Sequence, residues 1–201
     1  FGFALVILTG IGMTIIAFLA SAANKRKILG MKPKDVSWSR EIPFNGNLSE
    51  SFYTLQKLGE DHSYGITLAS ALILRMIYKN ILTVTKSGSK VELSFSGTAP
   101  DESDKAMTGL YKMMLEASGS DRILQSKEFS KWSSSHISKV NSWIKSNTAD
   151  GRKSLAADSF IKGSTYTPSG QSEARKLLGL KKFLLDFTLI KEKEAVEAVL
   201  W

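Results

Sequence analysis

From Phe1 to Ala23 the chain carries no charged residue. A helix rises about 1.5 Å per residue, and a bilayer core of ~30 Å needs roughly 20 apolar residues. The pattern therefore predicts a transmembrane helix over 1–23. Asn24, Lys25, Arg26 and Lys27 follow at once. That is a stop-transfer pattern, and the positive-inside rule puts the residues after Asn24 in the cytoplasm, at the plasma membrane. A signal peptide carries its charges before a shorter apolar run. A buried core helix rarely runs so far without a charge. Both fit less well.

Beyond the span the periodicity changes several times. Residues 24–47 read as an extended basic tether, because Pro33 and Pro43 break helix and Asn45-Gly46-Asn47 is turn chemistry. Leu48 to Leu58 predicts a short amphipathic helix capped by Ser49 or Asn47, with Leu48, Phe52, Leu55 and Leu58 on one stripe. Ile66 to Lys79 predicts a second, unusually apolar helix. Ile81–Lys86 and Lys90–Phe95 alternate as strands around the turn Ser87-Gly88-Ser89. Helix, helix and hairpin wing over 48–98 is the order of a winged-helix unit.

Residues 99–162 predict a second, degenerate winged-helix-like unit. Its first helix follows Asp101 and Asp104, with Met107, Leu110, Tyr111 and Met114 as the core stripe. A short strand at Ile123-Leu124 comes next, then a helix from Ser126 holding Phe129 and Trp132. A longer helix turns Ile137, Val140 and Ile144 inward. Gly163 to Gly170 reads as a loop. Thr167 and Pro168 fit N-cap and N1 of a helix to about Thr188, and Lys191 to Trp201 reads as another. The expected fold class is mainly α with a small β-hairpin: an N-terminal transmembrane helix, a cytoplasmic winged-helix-like α+β domain, and C-terminal helices over 163–201. Because the chain begins at Phe1 and ends at Trp201 within a helical pattern, further segments are expected on both sides.

Charge refines the picture. The chain has a net charge of +8, concentrated in Lys25, Arg26, Lys27, Lys32, Lys34 and Arg40. These six define a membrane-surface set that anionic headgroups attract. The remainder is nearly neutral, which argues against a DNA-binding body. There is no cysteine and only two histidines, His62 and His136. Disulfide, zinc-thiolate and histidine-rich metal sites are therefore not expected, and no cofactor motif appears.

The span, the basic tether, the winged-helix order and above all GLKKFLLDFTLIKEKEAVEAVLW (Gly179 to Trp201) resemble the YciQ-like domain-of-unknown-function family of bacterial predicted membrane proteins. The resemblance implies an extracytoplasmic β domain before the span, a cytoplasmic region like this one, and further spans after Val199-Leu200-Trp201. The family carries no agreed activity, so it implies no catalytic residue.

Asp61-His62-Ser63 and His136 beside Ser133, Ser134 and Ser135 hold acid, base and hydroxyl side chains. Sequence neighbours do not converge on a substrate, however, and loop or helix-start roles suffice. The paired acids Asp101-Glu102 and Glu192-Glu194 suit helix starts. The apolar helix 66–79 has more large aliphatics than one buried stripe requires. Thr67, Ser70, Leu74, Arg75, Tyr78 and Lys79 define a candidate partner surface on it, too poor in polar groups to read bases. Small residues at Gly10/Thr14 and Ala17/Ser21 allow the span to pack a second copy. The expectation is a membrane-anchored interaction or signalling module, not an enzyme, that binds a membrane or cytoplasmic protein. The alternative is a membrane-tethered winged-helix regulator that binds DNA.

Overall fold

The computed structural model describes residues 20–60, 65–87 and 90–199. It is mainly helical with a small antiparallel sheet. The expected fold class needs one correction. Among the described residues no helix is long and apolar enough to cross a membrane. Residues 1–19 of the expected span lie outside the described residues. Residues 20–23 belong to a helix (α1, 20–29) that runs on through Lys25, Arg26 and Lys27. It ends by burying Ile28 and Leu29 in a protein core.

The fold divides into two compact units, and the division is discontinuous along the chain. One joins the residues up to Glu60 with those from Lys153 onward; the other is Asp61–Arg152. The helix at 48–57 therefore groups with the two ends of the chain. The residues of the expected winged-helix unit, 48–98, are shared between the two units.

In the discontinuous unit, the segment expected to be an extended tether is folded down. Gly30 (φ 68°) closes α1, its N–H donating to Arg26 O at 2.8 Å. A single-turn 3₁₀ helix, Pro33–Asp35, and a tight turn, Pro43–Gly46, follow; in the turn Phe44 and Asn45 take a left-handed φ of 50°. Between and within them Val36 and Phe44 are buried. Helix α2 (Leu48–Lys57) starts where the Asn47 side chain accepts from Ser49 N–H and Glu50 N–H. A two-residue hairpin of β4 (Ile161–Lys162) and β5 (Thr165–Tyr166) stands where sequence predicts only a loop. Helix α7 (Pro168–Val199) then runs as one helix, not two. Its start is as expected, with Thr167 Oγ1 accepting from Gly170 N–H at 3.2 Å.

α7 is the wall on which the N-terminal segment lies. Lys182 Nζ donates to Pro33 O (3.0 Å) and Val36 O (2.7 Å), and Arg175 donates to Leu29 O. The approach at Gly179 is close: a Cβ there would sit 2.5 Å from Ser37 O. Leu29, Phe44, Leu58, Leu155, Ala174 and Leu177 belong to the resulting core.

The continuous unit holds α3 (Ile66–Tyr78), β1 (Leu82–Ser87), β2 (Lys90–Phe95), α4 (Lys105–Ala117), β3 (Ile123–Gln125), α5 (Ser126–Ser135) and the first part of α6 (Ile137–Ala157). The three strands pair antiparallel in the order β1-β2-β3, with Leu82 opposite Phe95 and Leu93 opposite both Val84 and Leu124. α3 buries Leu68, Leu72 and Met76 at helical spacing, and α4 buries Met107, Leu110, Tyr111 and Met114. Asp104 caps α4 through Met107 N–H. Trp143 of α6 donates to Ala106 O at 3.0 Å, and a Cβ at Gly109 would meet its ring at 2.8 Å. Ile137, expected inward, is exposed.

Candidate functional site

The outward face of α3 is the first candidate. Burial of Leu68, Leu72 and Met76 fixes the helix rotation, so Thr67, Ser70, Leu74 and Tyr78 fall on the opposite side. Leu74 is 67% exposed, Tyr78 86% and Ile66 66%. Lys79 is also exposed and Arg75 partly so. The six residues singled out from sequence thus lie on the outer face or its border. Ile66 was missed, because the first residue of an apolar helix reads as core. In the same unit Val84 and Val91 of the hairpin are exposed as well.

The six cations assigned to a membrane surface do not behave alike. Lys25 Nζ lies 3.0 Å from Glu60 Oε1, and Lys181 Nζ lies 2.7 Å from Glu60 Oε2. Burial pushes the Glu60 carboxyl up, but the two lysines more than offset it and hold it below the usual carboxylate range. Arg40 lays its guanidinium over the Phe183 ring, 4.8 Å from the centroid. Arg26, Lys27, Lys32 and Lys34 are exposed.

The two acid-base constellations differ in what the structure describes. Asp61, His62 and Ser63 lie outside the described residues. His136 sits at the junction of α5 and α6, its ring stacked on Trp132 at 4.4 Å and its Nδ1 2.9 Å from Trp132 O. Ser133 and Ser134 donate to Ser130 O, and Ser135 to Trp132 O. These bonds tie off a helix end. Asp101 accepts from the Ser103 N–H, which lowers its carboxyl. Glu116 is lowered by its bond to Lys139. Among the described residues no group of three or more His, Cys, Asp or Glu could hold a metal ion.

One chemically unusual group escaped the sequence. Glu50, in the first turn of α2, is 0% exposed, and neither carboxylate oxygen has a hydrogen bond of ordinary geometry among the described residues. Burial drives its carboxyl up to about 7. The Ser154 hydroxyl partly counteracts this, and the negative charges of Asp158 and Glu173 add to it. Around it, Asn47 Nδ2 donates to Ser154 Oγ (2.9 Å), Thr54 Oγ1 meets Tyr166 Oη (2.9 Å), and Glu173 accepts from Phe44 N–H (2.6 Å). The Glu50 carboxyl is shut off from solvent.

Comparison with protein families, characterised proteins and solved structures finds no match to this chain. The resemblance to the YciQ-like family gains no support from it, and no residue role is carried over.

Proposed function

We propose that this chain is an interaction module that engages a protein partner through the outer face of α3. The observation that carries the reading is the pair Leu74 and Tyr78. Both are large, both stand on the side of α3 opposite its buried stripe, and both are left to solvent. Large exposed apolar side chains clustered on one helix face mark interaction sites more often than isolated ones do. A nucleic-acid reader needs a surplus of cations on that face. Here Lys79 and Arg75 stand at its C-terminal end beside an apolar centre.

The test is a photo-crosslinking amino acid at position 74 of the full chain in its native cells, with a control at the exposed Lys112 of α4. A discrete adduct at 74 that Tyr78→Ala abolishes, and that 112 does not give, supports the reading. Salt-sensitive, sequence-selective DNA binding lost on Arg75→Ala with Lys79→Ala would replace it with the regulator reading.

A further inference from the structure

We propose that the ledge formed by residues 31–42 on α7 docks the discontinuous unit on an anionic lipid surface, with Trp38 and Ile42 entering the headgroup layer. This surface lies in a different unit from the α3 face and does not depend on that reading.

The ledge is rigid before it meets a partner. Lys182 bonds the carbonyls of Pro33 and Val36, Val36 is buried beneath, and Pro43 and Phe44 anchor its far end in the core. Binding therefore requires little further ordering of the backbone. The side chains it turns outward alternate in kind: Met31, Lys32, Lys34, Trp38, Arg40 and Ile42 are all exposed. Trp38 is 59% exposed and Ile42 71%. Trp38 leans edge-on against Phe183 at 6.2 Å, and Arg40 covers that ring. Of the acids in the segment, Glu41 pairs with Lys176 at 2.9 Å while its side chain stays exposed, and Asp35 is exposed as well.

This chemistry matches the boundary between headgroups and acyl chains. Tryptophan prefers that depth, aliphatic side chains enter just below it, and cations pair with the phosphates. The mixture discriminates between anionic partners. Single-stranded nucleic acid needs a row of free aromatic faces for stacking. The Phe183 ring is already covered, and the most exposed apolar group is the aliphatic Ile42.

The chain has no cysteine, so Ile42→Cys gives one attachment point for an environment-sensitive fluorophore on the full chain. Lys162→Cys on β4 is the control. Phosphatidylcholine vesicles are compared with vesicles that also contain phosphatidylglycerol, at physiological salt. The label at 42 should shift to the blue and be quenched by brominated lipid on the anionic vesicles only, while the label at 162 should not change. Each of Lys32→Gln and Lys34→Gln should weaken the response roughly five-fold, raised salt should weaken it further, and Trp38→Ala should remove most of it. Because the readout is local to position 42, attachment of the chain to vesicles elsewhere does not mimic it. No shift at 42, an equal shift on neutral vesicles, or a stronger shift with single-stranded oligonucleotide would overturn the proposal.

Discussion

Replacing Glu50 by Gln should make the protein more stable at neutral and alkaline pH and change little under acid. The carboxyl is driven from an ordinary 4.5 to about 7 by burial beside Asp158 and Glu173. The folded state therefore holds the proton more tightly than the unfolded chain does. Stability from this group is complete below about pH 4.5 and is lost as pH rises through 7. At about 1.4 kcal/mol per unit, the loss is on the order of 3 kcal/mol. Glutamine keeps the shape and cannot ionise. The difference between Glu50→Gln and the parent chain should grow from near zero at the acid end to about 2–3 kcal/mol above pH 7. That corresponds to roughly 4–12 °C in melting temperature for a chain of this size.

Taking the difference at each pH cancels Glu60, Asp101 and Glu116, whose lowered carboxyls act in the opposite sense and lose their contribution on acidification. The Asp158 charge is one of the contributions that raise the Glu50 carboxyl, so Asp158→Asn should move the midpoint of the difference downward. Thermal or urea unfolding between pH 4.5 and 8.5 is the assay. A difference that does not vary with pH, or a Gln variant weaker than the parent at pH 8, would refute the reasoning.

Other perturbations separate exposed from buried positions. Leu74→Asp should leave the melting curve within about 1 kcal/mol of the parent, whereas Leu72→Ala, two residues away on the buried side, should cost about 2–5 kcal/mol. Gly170→Ala places a Cβ 2.0 Å from Phe160 O and should cost at least ~2 kcal/mol, read as a lowered urea midpoint, because backbone must move to admit it. Glu60→Gln leaves Lys25 and Lys181 facing each other without their shared anion, so chemical denaturation at pH 7 should show a loss of ~1 kcal/mol.

Local periodicity recovered the elements whose partners lie nearby in sequence. The stripe Met107, Leu110, Tyr111 and Met114 is buried, β1 and β2 pair antiparallel with Ser87 opposite Lys90, Ile123 and Leu124 lie in a strand, and Thr167 caps α7. It failed where distant segments decide. Residues 24–47 are rich in Pro, Gly and Lys, so they read as a tether, yet α7 supplies Lys182, Arg175 and Glu173 to hold their backbone from more than a hundred residues away. Glu50 stands where an acid complements a helix dipole, and nothing local says that its side chain turns inward. Ile137 has the spacing of a core residue but is exposed. The candidate face on α3 was legible for a different reason. Its surplus of large aliphatics over one stripe is a property of the helix alone, and the burial of Leu68, Leu72 and Met76 fixes which of them remain outside.

The basic stretch shows how far a charge count carries. Six cations between residues 25 and 40 look interchangeable in sequence, and a tether would present them all to a membrane as one diffuse charge. The fold divides them by neighbour. Lys25 is held with Lys181 on the half-buried Glu60, where removing the anion costs stability but the lysine has little left to offer a partner. Arg40 is fixed over Phe183, so its charge comes with an aromatic surface attached. Lys32 and Lys34 flank Pro33 on a backbone pinned to α7, which sets where they point. A net charge predicts only that anions are attracted. The proposed lipid docking rests on the exposed Trp38 and Ile42 that share the segment with these cations, because a lipid surface accepts aliphatic and cationic groups side by side while a phosphate backbone has no place for the aliphatic ones.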